Sequence, residues 1–401
     1  MRSLFQFNEN VQQTSMRSLS KIILRELRLL GSDPLAWFCM VVAPLLTALF
    51  FTTFMWQGLP TDMPVGLVDG DNTSTSRQIA RNLDAMQQTR IAATYADVSE
   101  ARRAMQRGDI YAFFYIPHGT TRLANQQKQP TISYYTNYSY LVAGSLVMRD
   151  MRMMSELASG AAARKVLYAK GATEQQAMAF LQPIVIETHP VSNPTLNYNV
   201  YLSNTLIPGI LGIFIFMMTV YSIGMEIKNG TAGEWLGHAR GSILTALAGK
   251  LLPQTVPFLL AVALMDVWLY GVMQFPCQCG AWAMFGIGAL YVLACQGMGV
   301  FMIAMLPTLR LGLSFASLWG VLSFSICGMS YPVMAMDAPL QGIALLFPLR
   351  HYFLLYVNCA LDGYPLPNAW PYAAFLLFFV FLPLFCGWWL KRQLLTVKYI
   401  P

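Results

Sequence analysis

Charge is missing from this chain over distances that a membrane explains. From Thr188 to Met225, and again from Leu251 to Met265, there is no Asp, Glu, Lys or Arg, and Arg310 is the only full charge between Asp266 and Asp337. Crossing roughly 30 Å of hydrocarbon takes about 20 apolar residues in a helix, so such runs convert into spans. Six are predicted: Leu35 to Trp56, Tyr201 to Met225, Lys250 to Gln274, Gly280 to Leu306, Leu311 to Met334 and Trp370 to Leu390. PCQCG (Pro276 to Gly280) and PTLR (Pro307 to Arg310) break the long middle run with helix-ending chemistry. With 56% hydrophobic and 11% charged residues, the composition excludes an ordinary soluble or disordered chain.

Basic residues set the orientation. Lys21, Arg25 and Arg28 precede the first span, and Lys228, Arg240 and Lys250 follow the second. Arg310 follows the fourth, and Lys391, Arg392 and Lys398 follow the sixth, whereas the loop at Pro276 to Gly280 is uncharged. The positive-inside rule then predicts a multi-pass protein of the cell membrane, the inner one where there are two, with both termini cytoplasmic. The net charge of +7 reads as a topology signal with contacts to anionic lipid, not as a nucleic-acid surface. Met1 to Ser32 lacks the short apolar run of a cleavable signal, so the first span is expected to serve as the insertion signal.

One soluble segment remains, residues 57–199, which this topology places outside the cytoplasm. Strands are predicted at Met63 to Asp69, Arg90 to Ala96, Ile110 to Pro117 and Pro130 to Asn137. Helices are predicted at Thr73 to Met86, capped near Ser74 or Ser76, at Val98 to Arg107, started by Asp97 or Ser99, and along Tyr140 to Lys170. The alternation implies a small α/β domain. Before the first span, Leu19, Ile22, Ile23, Leu27 and Leu30 fall on one side of a helical wheel, with Lys21, Arg25 and Arg28 on the other and Glu26 at the apolar margin. That pattern suits either a helix lying in the inner interface or a basic flank that sets topology.

These features together carry a resemblance. The basic helix, SDP (Ser32 to Pro34), a first span containing Pro44, and a domain opening VGLVDGDNTSTSRQIARNLDA (Val65 to Ala85) resemble the ABC-2 type ABC transporter permeases. The similarity is to the multidrug-exporter-like branch with a large domain between the first two spans. MEIKNGTAGEWLGHARGS (Met225 to Ser242) resembles the family's E-x-x-x-G-T-x-E-x-L loop, with Glu226, Gly230, Thr231 and Leu236 in place and the acidic position one residue late at Glu234. Ser330 to Tyr356 is similar to the family's re-entrant outer hairpin, with Pro348 at its centre.

The resemblance implies a membrane all-α fold of six transmembrane helices, an extracytoplasmic α/β domain and an N-terminal amphipathic interfacial helix. Its divisions are residues 1–34 (cytoplasmic, with the interfacial helix), 35–56 (first span), 57–199 (outer domain) and 200–401 (five-helix region). The last contains a cytoplasmic coupling loop at 226–245 and an outer re-entrant segment at 336–362. The implied function is the permease subunit of an ATP-driven exporter for a drug-like, lipidic or other amphiphile. Its implied partners are a P-loop ATPase, a second permease subunit, membrane lipid and a periplasmic adaptor, with ATP and Mg on the ATPase and no cofactor on this chain. The first, second and fifth spans are the family's pathway-facing helices. Gly230 and Thr231 supply a turn and an N-cap for a helix through Glu234 to His238.

Other chemistry is thin. No G-x-x-x-x-G-K-[ST] cradle occurs; GSILTALAGK (Gly241 to Lys250) has the wrong spacing, so the chain is not read as an enzyme. Asp266 lies roughly 24 Å beyond Lys250 at about 1.5 Å per residue, which suggests an interfacial or hydrogen-bonded role near the outer headgroups. His118, His189, His238 and His351 show no metal-ligand spacing. Cys39, Cys295, Cys327 and Cys386 read as small apolar residues in spans. Cys277, Cys279 and Cys359 lie on the outer side, where either of the first two is placed to bridge to Cys359. The alternative reading of the whole chain is a non-transporting sensor or scaffold acting through its outer domain, which would not require the pattern at Glu226 to Leu236.

Overall fold

The computed structural model describes residues 18–126 and 128–397, and Lys398 lies outside them. The chain divides into two units: Gln57–His189, and a second made of the residues before it together with those from Pro190 onward. Segment 190–197, expected in the outer domain, belongs instead with the helical unit. Its Ser192 hydroxyl donates to Asp362, and Asn197 caps the second span by accepting the N–H of Asn199.

Among the described residues, six helices are long and apolar enough to cross a membrane: Pro34–Phe54, Tyr198–Lys228, Ile243–Val272, Ala281–Met305, Leu309–Ile326 and Leu366–Thr396. The expected spans are present with shifted ends. The fifth stops at Ile326 and not at Met334, because Gly328 turns the chain with φ +104°. The third begins earlier, at Ile243, capped by the Ser242 hydroxyl accepting from the Thr245 N–H. Lys250 is therefore two turns inside a helix. Glu226 and Lys228 likewise lie in the last turn of the second span and not in a loop. In the first span, a π-turn at Phe38–Val42 directly precedes Pro44, whose missing N–H interrupts the ladder there. The segment expected to be re-entrant forms two arms, Ala338–Ala344 and Pro348–Leu361, bent by 84°, with Pro348 opening the second arm at the bend.

The fourth span is the hub of the helical unit, 78% buried along its apolar stretch against 22% for the fifth. Its glycines explain how three neighbours approach it. A Cβ at Gly288 would meet Val262 of the third span at 2.6 Å, one at Gly299 would meet Thr219 of the second at 2.8 Å, and one at Gly297 would strike the Phe379 carbonyl of the sixth. Close backbone approach through small residues is how helices associate where lipid offers no hydrophobic drive.

The Gln57–His189 unit is a four-stranded sheet of β1 (Met63–Asp69), β2 (Thr89–Thr94), β3 (Ala112–Ile116) and β4 (Ser133–Thr136). The order is β2-β1-β3-β4, with β1 parallel to β2 and β3, and β4 antiparallel to β3. Helices Ser74–Asp84 and Leu141–Ala169 cover one face, burying Val65, Leu67, Phe114 and Met151. Helix Val98–Arg107 covers the other, where Val68 and Phe113 pack with Ala101 and Ala104. The first helix is capped by Thr73, one residue before the expected serines, because Thr73 and Ser76 satisfy each other's backbone N–H. Asp97 caps the second helix.

A buried carboxylate fastens the long helix to the sheet: Asp150 accepts from the Gln88 N–H at 3.1 Å and the Thr89 hydroxyl at 3.0 Å. Residues 57–189 expressed alone should give mixed α/β circular dichroism and one cooperative melt. Asp150→Ala, which orphans both donors, should then lower the unfolding free energy by about 1–3 kcal/mol in denaturant titration. An unchanged midpoint would show that Asp150 fastens nothing.

Candidate functional site

The helix at residues 18–32 packs through a mixed side and turns leucines away from it, where the sequence predicted a single apolar side. Ser18, Ile22 and Glu26, spaced four apart, face the protein and are buried. Leu24 and Leu27 face away and are about half exposed, at 54% and 51%. The wheel grouped Leu27 with Ile22 on a single apolar side and left Glu26 at its margin. The structure corrects this: a glycine at position 249, where a Cβ would meet Ile22 at 2.7 Å, lets the helix settle on the third span along the Ile22 and Glu26 line.

Burying Glu26 requires a cation, and Lys250 supplies it, Nζ to Oε1 at 2.7 Å. The same ammonium donates to Glu226 Oε1 at 2.9 Å. Arg25 forks onto Glu226, Nη1 to Oε1 at 2.6 Å and Nη2 to Oε2 at 3.0 Å, and also reaches Glu26 at 2.9 Å. Two carboxylates and two cations thus cancel. The side chains of Glu26, Glu226 and Lys250 are 2%, 4% and 1% exposed, and that of Arg25 is 22% exposed. Hydrogen bonding to Glu226 raises the Arg25 pKa above its ordinary value, so the guanidinium stays charged.

The loop closes over this cluster. The second span ends in a Schellman turn: Gly230 takes φ +70°, and the Thr231 N–H returns to the Glu226 carbonyl at 3.0 Å. Helix Ala232–His238 follows. Thr231 stands at its N-cap, as predicted, but its hydroxyl does not cap. It donates to Glu226 Oε2 at 2.5 Å, completing the carboxylate's shell. Trp235 is fully buried and lies under the Lys250 ammonium, 4.9 Å from nitrogen to ring centre. Farther along, the Lys391 ammonium of the sixth span donates to the Gly241 carbonyl at 2.6 Å.

The expected loop residues therefore divide. Glu226, Thr231 and Leu236 point inward, where Glu226 and Leu236 are buried, so they hold the helix in place; Gly233, Glu234, Gly237 and His238 form its exposed side. Among the basic residues, Arg25 turns into the cluster, while Lys21 and Arg28 stay exposed. Glu26, Lys250 and Trp235 went unrecognised as partners. The signals were Glu26 four residues after Ile22 on the buried line, and a lysine set in an otherwise apolar run.

The remaining candidates do not join this site. All seven cysteines are free thiols. The Gln278 N–H donates to the Ala360 carbonyl at 2.8 Å, which lays the Cys277 and Cys279 segment beside Cys359. Burial pushes the Cys277 thiol up to about 12. No group of three or more metal-ligating side chains occurs among the described residues. Asp266 is buried within the helical unit, 9% exposed, and its Oδ2 has no hydrogen-bond partner.

Residues 35–389 match the family model described as ABC-2 family transporter protein, so the match takes in Glu226, Thr231, Trp235 and Lys250 but begins after Arg25 and Glu26. No curated protein matches the chain.

Removing one member of the cluster leaves an unpaired buried charge, which costs about 3–5 kcal/mol. Glu226→Ala should therefore lower the melting temperature sharply, whereas Glu234→Ala, on the exposed side, should change stability by less than about 0.5 kcal/mol. Equal effects of the two substitutions in thermal melts of the detergent-solubilised protein would contradict the inward and outward division.

Proposed function

The chain belongs to the ABC-2 family of transporter proteins, and from that premise we propose that it is the permease subunit of an ATP-driven exporter. The family implies partnership with an ABC ATPase subunit. The carrying observation is that helix Ala232–His238 is locked from beneath to helix 18–32 and to the second and third spans, while its outer side stays free. A helix fixed in this way transmits a push. The ATPase docks on Gly233, Glu234, Gly237 and His238. Its closure on ATP and Mg displaces the cluster as one body, and the spans tilt with it.

On this reading both termini and the Ala232–His238 helix are cytoplasmic, supported by the basic flanks. The Gln57–His189 unit then lies outside, where it meets substrate or a periplasmic adaptor. Two permease subunits pair, and a drug-like, lipidic or other amphiphilic substrate leaves between them along the first, second and fifth spans. The exposed leucines of helix 18–32 rest in the inner leaflet.

A cysteine at position 234 should cross-link to a P-loop ATPase in native membranes. Replacing Gly230 and Thr231 together with proline removes the φ +70° turn and the Glu226 hydroxyl partner. Transport and substrate-stimulated ATP hydrolysis should then fall together while membrane insertion persists. Export equal to the parent's, or no ATPase cross-link, would overturn the assignment. For orientation, an impermeant thiol reagent should reach Cys279 from outside and a cysteine at position 228 only from inside; the reverse labelling would remove the docking reading.

A further inference from the structure

Asp266 closes the α-helical part of the third span, at the junction with the π-turn Val267–Val272. It stands over a cavity of about 20 Å³ walled by Ile207 and Leu211 of the second span, Val262 and Leu269 of the third, Tyr291 of the fourth and Tyr352 of the re-entrant arm. A space of this size holds one water and little more. Its Oδ2 is buried with no hydrogen-bond partner. This is the reverse of the Glu26 and Glu226 arrangement, where every buried carboxylate faces a cation.

An unpaired carboxylate charge at such a position costs several kcal/mol, so something must neutralise it. The ionisable groups near Asp266 are Tyr270 on its own helix, Tyr291 and Tyr352 across the cavity, and Cys277 and Cys279 from the segment before the fourth span. None of them is a cation. A metal ion needs a shell of several carboxylate or carbonyl oxygens, and aliphatic and tyrosine walls around one carboxylate do not provide one. We propose that Asp266 is a proton-binding site of the helical unit, its carboxyl protonated in this conformation and deprotonated when the four walls of the cavity separate and admit water. The π-turn suits such a role, since it lets the helix change register at that point. The proton in turn favours the packed state of the second, third and fourth spans and the re-entrant arm.

The test uses the purified full chain alone, so it stands or falls separately from the exporter reading. Infrared spectra at neutral pH should contain the carbonyl stretch of a protonated carboxyl, shifted in heavy water and absent from Asp266→Asn. The asparagine variant keeps the shape without the titrating proton and should melt like the parent near pH 4, where the carboxyl is protonated in the folded and the unfolded chain alike. The folded parent holds a proton that its unfolded chain releases above the ordinary carboxylate pKa of about 4, so its stability should fall relative to the variant as pH rises from about 4 toward neutral and level off above that. No protonated-carboxyl band in the parent overturns the proposal even if the variant fails to fold. A band that persists in Asp266→Asn, or stabilisation of the parent by Na⁺ over choline at fixed pH and ionic strength, overturns it as well.

Discussion

Two carboxylates cannot leave water without their cations, and this rule organises one whole end of the helical unit. Glu226 is committed to burial by its place in the last turn of the second span, and it draws in Arg25, Lys250 and the Thr231 hydroxyl. Each partner comes from a different element, so the electrostatic requirement acts as a clamp on four pieces of backbone at once. Such a clusters need not add net stability over an apolar core, because desolvation offsets much of the attraction. What it imposes is a single arrangement: helix 18–32, the turn at Gly230 and the start of the third span move together or not at all.

The clamp needs a firm base, and the fourth span provides it. Gly288 and Gly299, three turns apart on one side of the helix, and Gly297 on the other meet three neighbours at distances no side chain would allow. A tightly packed helical interior changes between discrete arrangements and does not deform smoothly, so a displacement applied at the clamp is carried along the second and third spans. Asp266 lies near the other end of the third span, where the packing loosens into a small cavity and the helix passes into a π-turn. The third span thus carries a matched charge at one end and a carboxyl without a partner cation at the other.

Much of this was legible in residue order. Uncharged runs located all six spans, since a helix in hydrocarbon has few alternatives, and two of their ends moved by about two turns where capping chemistry decided, at Ser242 and Gly328. In the sheet unit, Met63–Asp69 and Val98–Arg107 fell where predicted because period-2 and period-3.6 patterns and an Asp97 cap are local signals. Gly230 was likewise readable as a turn.

Which charges face which was not legible. Arg25 and Arg28 look alike on a helical wheel, yet one is forked onto Glu226 and the other is exposed, because that choice depends on an acid 201 residues away. Lys250 reads as a topology flank until the Ser242 cap draws it two turns into a helix beside Glu26. Asp266 reads as interfacial or hydrogen-bonded, and only the packing of the second and fourth spans and the re-entrant arm around it leaves its Oδ2 buried without a partner. The sequence by itself determined the spans, the turns and the α/β pattern, since these follow from hydropathy and backbone chemistry within a few residues. Only the tertiary structure decided the pairing of buried charges, since an ion pair is settled by distance and burial, and residues far apart along the chain set both.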